Sequence, residues 1–485
     1  MQILWYDYET SGHDAAADRP VQLGWQVTDP GMEPVADAES LLVRLPDDVL
    51  PSPGAMLVHQ ILPDLHQRDG ISEAELANHL EQLIAPRTLV AGYNSRGFDD
   101  KFTQHIFYRC LRDPFAWQYA DGRGRFDLYP VVLTYFVLAP EAIRWPEDHD
   151  GRPRFTLDRI GPLNQLDQGL KRAHDASSDV AVTARLSRQL ALHDPDLFAT
   201  CLKRIDKHFV TDQIRADGRS DGLLEVTSFA GWDQGFVRDL WIPFRLSERS
   251  NDYVAFDLNH DPQQVMTNLT GLVESHSIDR SELRKQVRAL GIHTIRINAQ
   301  PMLFRRATLE PHIKSRLDAF GRDEVRQNQH LDVWQHIQES PAFKQLYQLA
   351  VQVLAETEQA LPDDVDFGLY AGNFLSTRDK DLLASLPLMD PEGLSQWTQS
   401  FDDPRYDTLL FRYRARNFPQ SLTQSEWKLW QKTRREKLMG VHSTKTQANR
   451  VQDELVAISQ RTDLEPNQIE QLEQFVMWLD KQPPV

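Results

Sequence analysis

The chain has 485 residues, 41% of them apolar, and a formal net charge of −18. This apolar fraction excludes wholesale disorder, the length calls for about three domains of roughly 150 residues each, and no run approaches the roughly 20 uncharged apolar residues of a membrane span. The start, Met1-Gln2-Ile3-Leu4-Trp5-Tyr6-Asp7, lacks the basic region of a signal peptide, and Cys110 and Cys201 are too few for a disulfide framework, so the expected setting is cytoplasmic, with no membrane partner.

Residues 3–8, 21–27 and 41–45 are short apolar and aromatic runs separated by turn residues, the pattern of three strands. Ser72, with Glu75 three residues on, reads as a capping box, and Leu76, Leu80, Leu83 and Ile84 then fall on one helical face until Pro86. Residues 88–93 read as a buried strand, and 100–111 as a helix burying Phe102, Ile106 and Cys110. A further helix after His174 carries Val180, Leu186 and Leu190. This order predicts a mixed sheet flanked by helices.

The character changes near residues 195–222. Strand-like runs at 223–229, 236–246, 253–258 and 293–304, the first few separated by Gly, Asn and Asp, predict a small β-barrel with helical insertions. From about residue 330 the pattern is helical, with Phe343, Leu346, Ala350 and Val353 on one stripe and Ile469, Leu472, Phe475, Val476 and Leu479 on another. Pro362-Asp363-Asp364 reads as a joint. The expected class is therefore α/β and multidomain, with limits at 1–195, 196–362 and 363–485.

Asp7 and Glu9 lie two apart on the first predicted strand, so both carboxylates leave the same face. They interrupt an apolar run, where an unpaired carboxylate is costly, whereas a solvated strand edge would carry such a pair without function. Asp99, in Asn94-Ser95-Arg96-Gly97-Phe98-Asp99-Asp100, falls at a strand-to-helix turn, where α/β sites form and where Asp also serves as an ordinary cap. His174 and Asp179 bracket the start of a helix. Four carboxylates and a histidine match the needs of two-metal phosphoryl transfer, in which cations about 4 Å apart stabilise the attacking and leaving oxygens. Histidine can take the proton of the attacking water near neutral pH. Asp7, Glu9, Asp99, Asp179 and His174 are therefore the candidate residues for such chemistry.

In order and spacing, Asp7-x-Glu9, Asn94-x-x-x-Phe98-Asp99 and His174-x-x-x-x-Asp179 resemble the three motifs of the Asp-Glu-Asp-Asp-His exonuclease superfamily, which has a ribonuclease H-like fold. Tyr6-Asp7-Tyr8-Glu9-Thr10, Ile106-Phe107-Tyr108-Arg109, Asp113-Pro114-Phe115-Ala116-Trp117 and Trp145-Pro146-Glu147 are similar to the bacterial exodeoxyribonuclease I family. So are Leu369-Tyr370-x-Gly372-x-Phe374 and the stretch from Leu410 to Pro419. The resemblance runs over essentially the whole chain. It implies a nuclease domain, an SH3-like β-barrel domain and an all-helical C-terminal domain around a single-strand channel. It also implies two Mg2+ per site with Mn2+ able to substitute, a monomer, and the C-terminal tail of single-stranded-DNA-binding protein as partner. The implied activity is processive 3′-to-5′ hydrolysis of single-stranded DNA in repair and recombination. A ribonuclease or proofreading subunit of the superfamily would use the same five residues, and a non-catalytic scaffold would have lost one.

Gripping single strands without regard to sequence calls for aromatic faces and cations along the phosphates. Phe115, Trp117, Tyr119, Phe155, Tyr370 and Phe374 are the aromatic candidates; Glu9 and Thr10 are further substrate contacts. The position where relatives can place a basic residue holds Thr156, leaving Arg154, Arg152 or Arg172 to supply the charge. Arg412, Tyr413, Arg414 and Arg416 read either as a basic-aromatic stripe or as a solvated helix face. The acidic balance runs against the basic footprint usual in nucleic-acid binders, but net charge governs solubility and steering and leaves room for a local basic groove.

Overall fold

The computed structural model describes residues 2–170, 174–248, 250–274, 279–355, 361–372, 375–440 and 446–481. It falls into two compact units: residues 1–125 with 167–185 and 358–485, and residues 126–166 with 186–357.

β1 (Gln2–Thr10), β2 (Pro20–Thr28), β3 (Glu39–Leu42) and β4 (Thr88–Gly92) of the first unit, with β5 (Gly124–Asp127), which crosses the division of the chain at residue 125, form a sheet in the order β3-β2-β1-β4-β5. β1 pairs antiparallel with β2 and parallel with β4, so the strand carrying Asp7 and Glu9 is central. The expected mixed sheet is present, and so is the capping box, in which Glu75 accepts from the Ser72 N–H at 2.7 Å at the head of helix Glu73–Leu83. Helix Asp99–Arg109 buries Phe102 and Ile106 as its period demands. Leu409, Leu410 and Tyr413 of helix Pro404–Asn417 share one apolar cluster with Leu4, Tyr6, Phe102 and Tyr108, so these C-terminal helices complete the core beneath the sheet.

The arginines of that helix are neither a nucleic-acid stripe nor a solvated face. Arg416 pairs with Asp48 at 2.7 Å and also with Asp366, Arg412 pairs with Asp366 at 3.1 Å, and Arg414 pairs with Glu426 at 2.7 Å. Asp366 is fully buried and also takes Lys437 and Arg19. Buried charges survive when paired and hydrogen-bonded, which is the condition met here. In helix Pro466–Asp480 the buried side is Phe475 and Trp478, while Ile469 and Val476, expected inside, are 47% and 40% exposed.

In the second unit, β6 (Leu223–Val226), β7 (Val237–Arg245), β8 (Asp252–Asp257), β9 (Ile292–Arg296) and β10 (Met302–Arg305) form an antiparallel sheet in the order β10-β6-β7-β8-β9. The register of β7 shifts between Trp241 and Phe244, around Pro243, which cannot donate to a ladder. The expected helical insertion is the pair Pro262–Glu274 and Arg280–Ala289 between β8 and β9. The run expected as one strand at 293–304 is two strands, because Pro301 interrupts it and Gln300 turns aside to bond both backbone groups of Asp127. Trp241 stacks on Trp334 at 5.7 Å, and Phe256 and Phe343 close this core.

Candidate active site

On β1, Tyr6 and Tyr8 point into the core while Asp7 and Glu9 leave the opposite face, half-buried. The tyrosines are pinned from below: Tyr6 donates to Asp100 at 2.5 Å, and Tyr8 shares a 3.1 Å hydrogen bond with Thr103. Both partners lie in helix Asp99–Arg109, which is thereby locked to β1 at the height of the acidic pair. Asp99 opens that helix and accepts the Tyr8 N–H at 3.0 Å. This carboxylate therefore sits at the backbone between Asp7 and Glu9.

The second approach comes from helix Ala176–His193. Its first turn lies against β2 at Gly24, where an added Cβ would stand 2.2 Å from the Ala176 carbonyl carbon. The Ala176 N–H donates to the Gln22 side chain at 3.1 Å, and Gln22 pairs in register with Glu9. This docking brings Asp179 and His174 to Glu9: one ligand atom from each of the three lies within 4.8 Å of the others. His174 is exposed, with a left-handed backbone (φ 59°), and its N–H donates to Asp179 at 3.2 Å. Non-glycine residues rarely take this conformation, and it recurs at functional sites.

Burial, and then the negative charges of Asp99, Glu9 and Asp179, push the Asp7 carboxyl well above the usual carboxylate range. A divalent cation relieves such crowding, and hard ions such as magnesium take carboxylate oxygens. The donor set therefore fits a metal. The structure brings Asp7, Glu9, Asp99, His174 and Asp179 together.

The expected strand contacts divide. Phe115 and Tyr370 lie in the same unit as the carboxylates, with ring centroids 6.1 Å apart, and Tyr119 is 69% exposed nearby in sequence. Tyr370 is 51% exposed and donates to Gln104. Thr10 is buried, its hydroxyl bonded to the Gly12 carbonyl at 2.7 Å. Trp117 is buried, with its indole N–H on the Pro114 carbonyl. Phe155 departs from expectation: in the second unit its ring is buried among Phe136, Trp145 and Phe236, an aromatic core cluster. Arg154 is exposed and paired with Asp148 at 2.7 Å, and Thr156 is exposed at the head of helix Leu157–Leu163. Phe374 and Arg172 lie outside the described residues. Gly24 and Gln22 escaped the sequence reading; a glycine inside a strand is the signal that marks a close approach.

Comparison with known proteins agrees with this geometry. Family models described as the exonuclease I SH3-like domain and the exonuclease I C-terminal domain match residues 205–349 and 363–482. The exodeoxyribonuclease I of Escherichia coli (strain K12) is 32% identical over 450 residues, covering 90% of this chain and 89% of the relative. A zinc-bound crystal structure of the E. coli exonuclease I–single-stranded DNA complex has a TM-score of 0.85 at 29% identity and covers 99% of each chain. A structure of SSB/exonuclease I in complex with the inhibitor CFAM has a TM-score of 0.84 at 29% identity, again covering 99% of each chain.

Proposed function

The chain belongs to the exodeoxyribonuclease I family, and on that premise we propose that it hydrolyses single-stranded DNA processively from the 3′ end, releasing 5′-mononucleotides in repair and recombination. The convergence of Glu9, His174 and Asp179 within 4.8 Å, beside Asp7 and Asp99, carries this reading. Asp7, Glu9, Asp99 and Asp179 hold the metal. Two magnesium ions, or manganese in their place, supply Lewis-acid stabilisation of the attacking and leaving oxygens. His174, exposed at the rim, takes the proton of the attacking water. Asp99 fixes the β1 backbone through Tyr8, and Gly24 and Gln22 fix the helix that carries Asp179.

Phe115 with Tyr370, and separately the exposed Tyr119, supply rings on which bases stack, and in the second unit the exposed Arg154 is a phosphate contact. The same reading divides the chain at 1–195, 196–362 and 363–485, supported by family-model matches over 205–349 and 363–482. It makes the protein a cytoplasmic monomer that meets the tail of single-stranded-DNA-binding protein, a partner supported by the SSB/exonuclease I structure. Among the described residues no helix is long and apolar enough to cross a membrane.

The test compares single-stranded DNA, duplex DNA and RNA of one sequence in magnesium. Cleavage of the single-stranded DNA first, and a loss of roughly 10²–10⁴-fold in rate for His174→Ala, are expected. RNA cut faster than DNA would replace this reading with a ribonuclease.

A further inference from the structure

The second unit holds a basin of about 830 Å³ lined by Arg215, Arg219, Phe244, Arg245, Tyr253 and Tyr347, among others. That size lies within the range of small-molecule sites, about 300–1,000 Å³. Arg215 sits in a π-helical turn, Ile214–Gly218, which Arg219 follows, so the two guanidiniums stand four residues apart on one side of a widened helix. Arg245 enters from the end of β7, opposite Tyr253 of β8 in register.

Among the described residues, none of the three arginines has a carboxylate partner within ion-pair distance; the one acidic residue lining the basin is the exposed Glu248. In a chain of net charge −18, a local concentration of unpaired cations is a departure that an anionic ligand would relieve. Two of these guanidiniums are already oriented. Arg219 lies over the Phe244 ring at 5.4 Å, with its Nε donating to the Pro243 carbonyl at 2.6 Å. Arg245 lies over the Tyr253 ring at 5.2 Å, with its Nε donating to the Tyr253 hydroxyl at 2.9 Å. A guanidinium fixed by such contacts offers a plane on which a base can stack, and its N–H edge suits phosphate oxygens.

We propose that this basin is a second nucleotide-binding site, separate from the carboxylate cluster, taking the phosphate of a 5′-nucleotide on Arg215 and Arg219 and its base against Arg245 and Tyr347. It goes beyond the nuclease reading and rests on it only for the source of the nucleotide: either the released mononucleotide or a nucleotide still within a strand.

The test is equilibrium dialysis of the full chain in EDTA with radiolabelled thymidine 5′-monophosphate. Thymidine, inorganic phosphate, an unphosphorylated oligothymidylate and an acidic peptide serve as competitors. Saturable nucleotide binding is expected, weakened at least about tenfold by Arg215→Ala, as for the loss of one charge-assisted hydrogen bond, and likewise weakened by Tyr347→Leu. Thermal unfolding checks that both variants fold. Competition by the oligothymidylate assigns the site to the strand, and its failure to compete assigns it to the released product. Unchanged affinity in Arg215→Ala, phosphate competing as well as the nucleotide, or binding of the peptide alone would overturn the proposal. Digestion of single-stranded DNA by the same wild-type preparation judges the nuclease reading independently.

Discussion

The Asp99 carboxylate accepts a 3.0 Å hydrogen bond from the backbone N–H of Tyr8, the residue that separates Asp7 from Glu9. One side chain thus contributes negative charge to the cluster and also fixes the strand that presents the other two carboxylates. Asparagine at this position keeps an oxygen acceptor and loses the charge. Asp99→Asn is expected to melt close to the wild type while losing most cleavage. Asp99→Ala also orphans a buried N–H, which costs about 1–3 kcal/mol of stability. Calorimetry beside a cleavage assay separates the two effects; equal stability of the two variants would contradict the assigned bond.

Asp7 makes the opposite prediction. Its folded carboxyl is held above its unfolded value by burial and by Asp99, Glu9 and Asp179, so the ionised form destabilises the metal-free fold. The penalty is full above the raised folded value and fades as pH falls toward the ordinary range near about 3.9. Asp7→Asn removes the charge. In EDTA at neutral pH it should raise the melting temperature by roughly 2 °C or more, the shift that about 1 kcal/mol produces in a large domain, while abolishing cleavage. A melting temperature below that of the wild type would contradict the crowding.

Gly24 is the contact point between β2 and the helix carrying Asp179. In Gly24→Ala the new Cβ must displace the Ala176 backbone, and His174 and Asp179 with it. A displacement of about 1 Å is enough to cost roughly 10²-fold in turnover. Single-turnover cleavage should fall by about that factor while binding of single-stranded DNA in EDTA is retained.

The buried hub responds to acid with the reverse sign. Burial alone would raise the Asp366 carboxyl, but Arg416, Lys437, Arg412 and Arg19 outweigh it and hold the group well below the ordinary range. Its stabilising contribution is complete above about pH 4 and drains away as pH falls toward the depressed folded value. Asp366→Ala leaves buried cations unpaired and should cost about 3–5 kcal/mol in urea unfolding at neutral pH. A loss under about 1 kcal/mol would show that the hub is solvated.

The sequence made the central strands legible because β1, β2 and β4 are short apolar runs bounded by turn residues. The carboxylate cluster was legible because Asp7 and Glu9 interrupt the apolar run of β1, while Asp99, His174 and Asp179 stand at the starts of two helices at motif spacings. Helix Leu128–Leu138 went unread, since Val131, Val132, Leu133, Tyr135, Phe136 and Val137 are all buried and leave no polar face to set a period. Arg412, Arg414 and Arg416 misled because the partners of Arg416 include Asp48, 368 residues away, and charge along one helix does not reveal a carboxylate arriving from elsewhere. Phe155 misled for a similar reason: its loop position suggested exposure, and distant aromatic residues bury it.

The central claim is metal-dependent cutting at a 3′ end of single-stranded DNA. It is tested most directly by following an oligonucleotide carrying different labels at its two ends in magnesium and again in EDTA. The account predicts early release of the 3′-terminal label as a 5′-mononucleotide, retention of the 5′ label until the strand is short, and no release in EDTA. Release of the 5′ label first, or unchanged cleavage in EDTA, would contradict it.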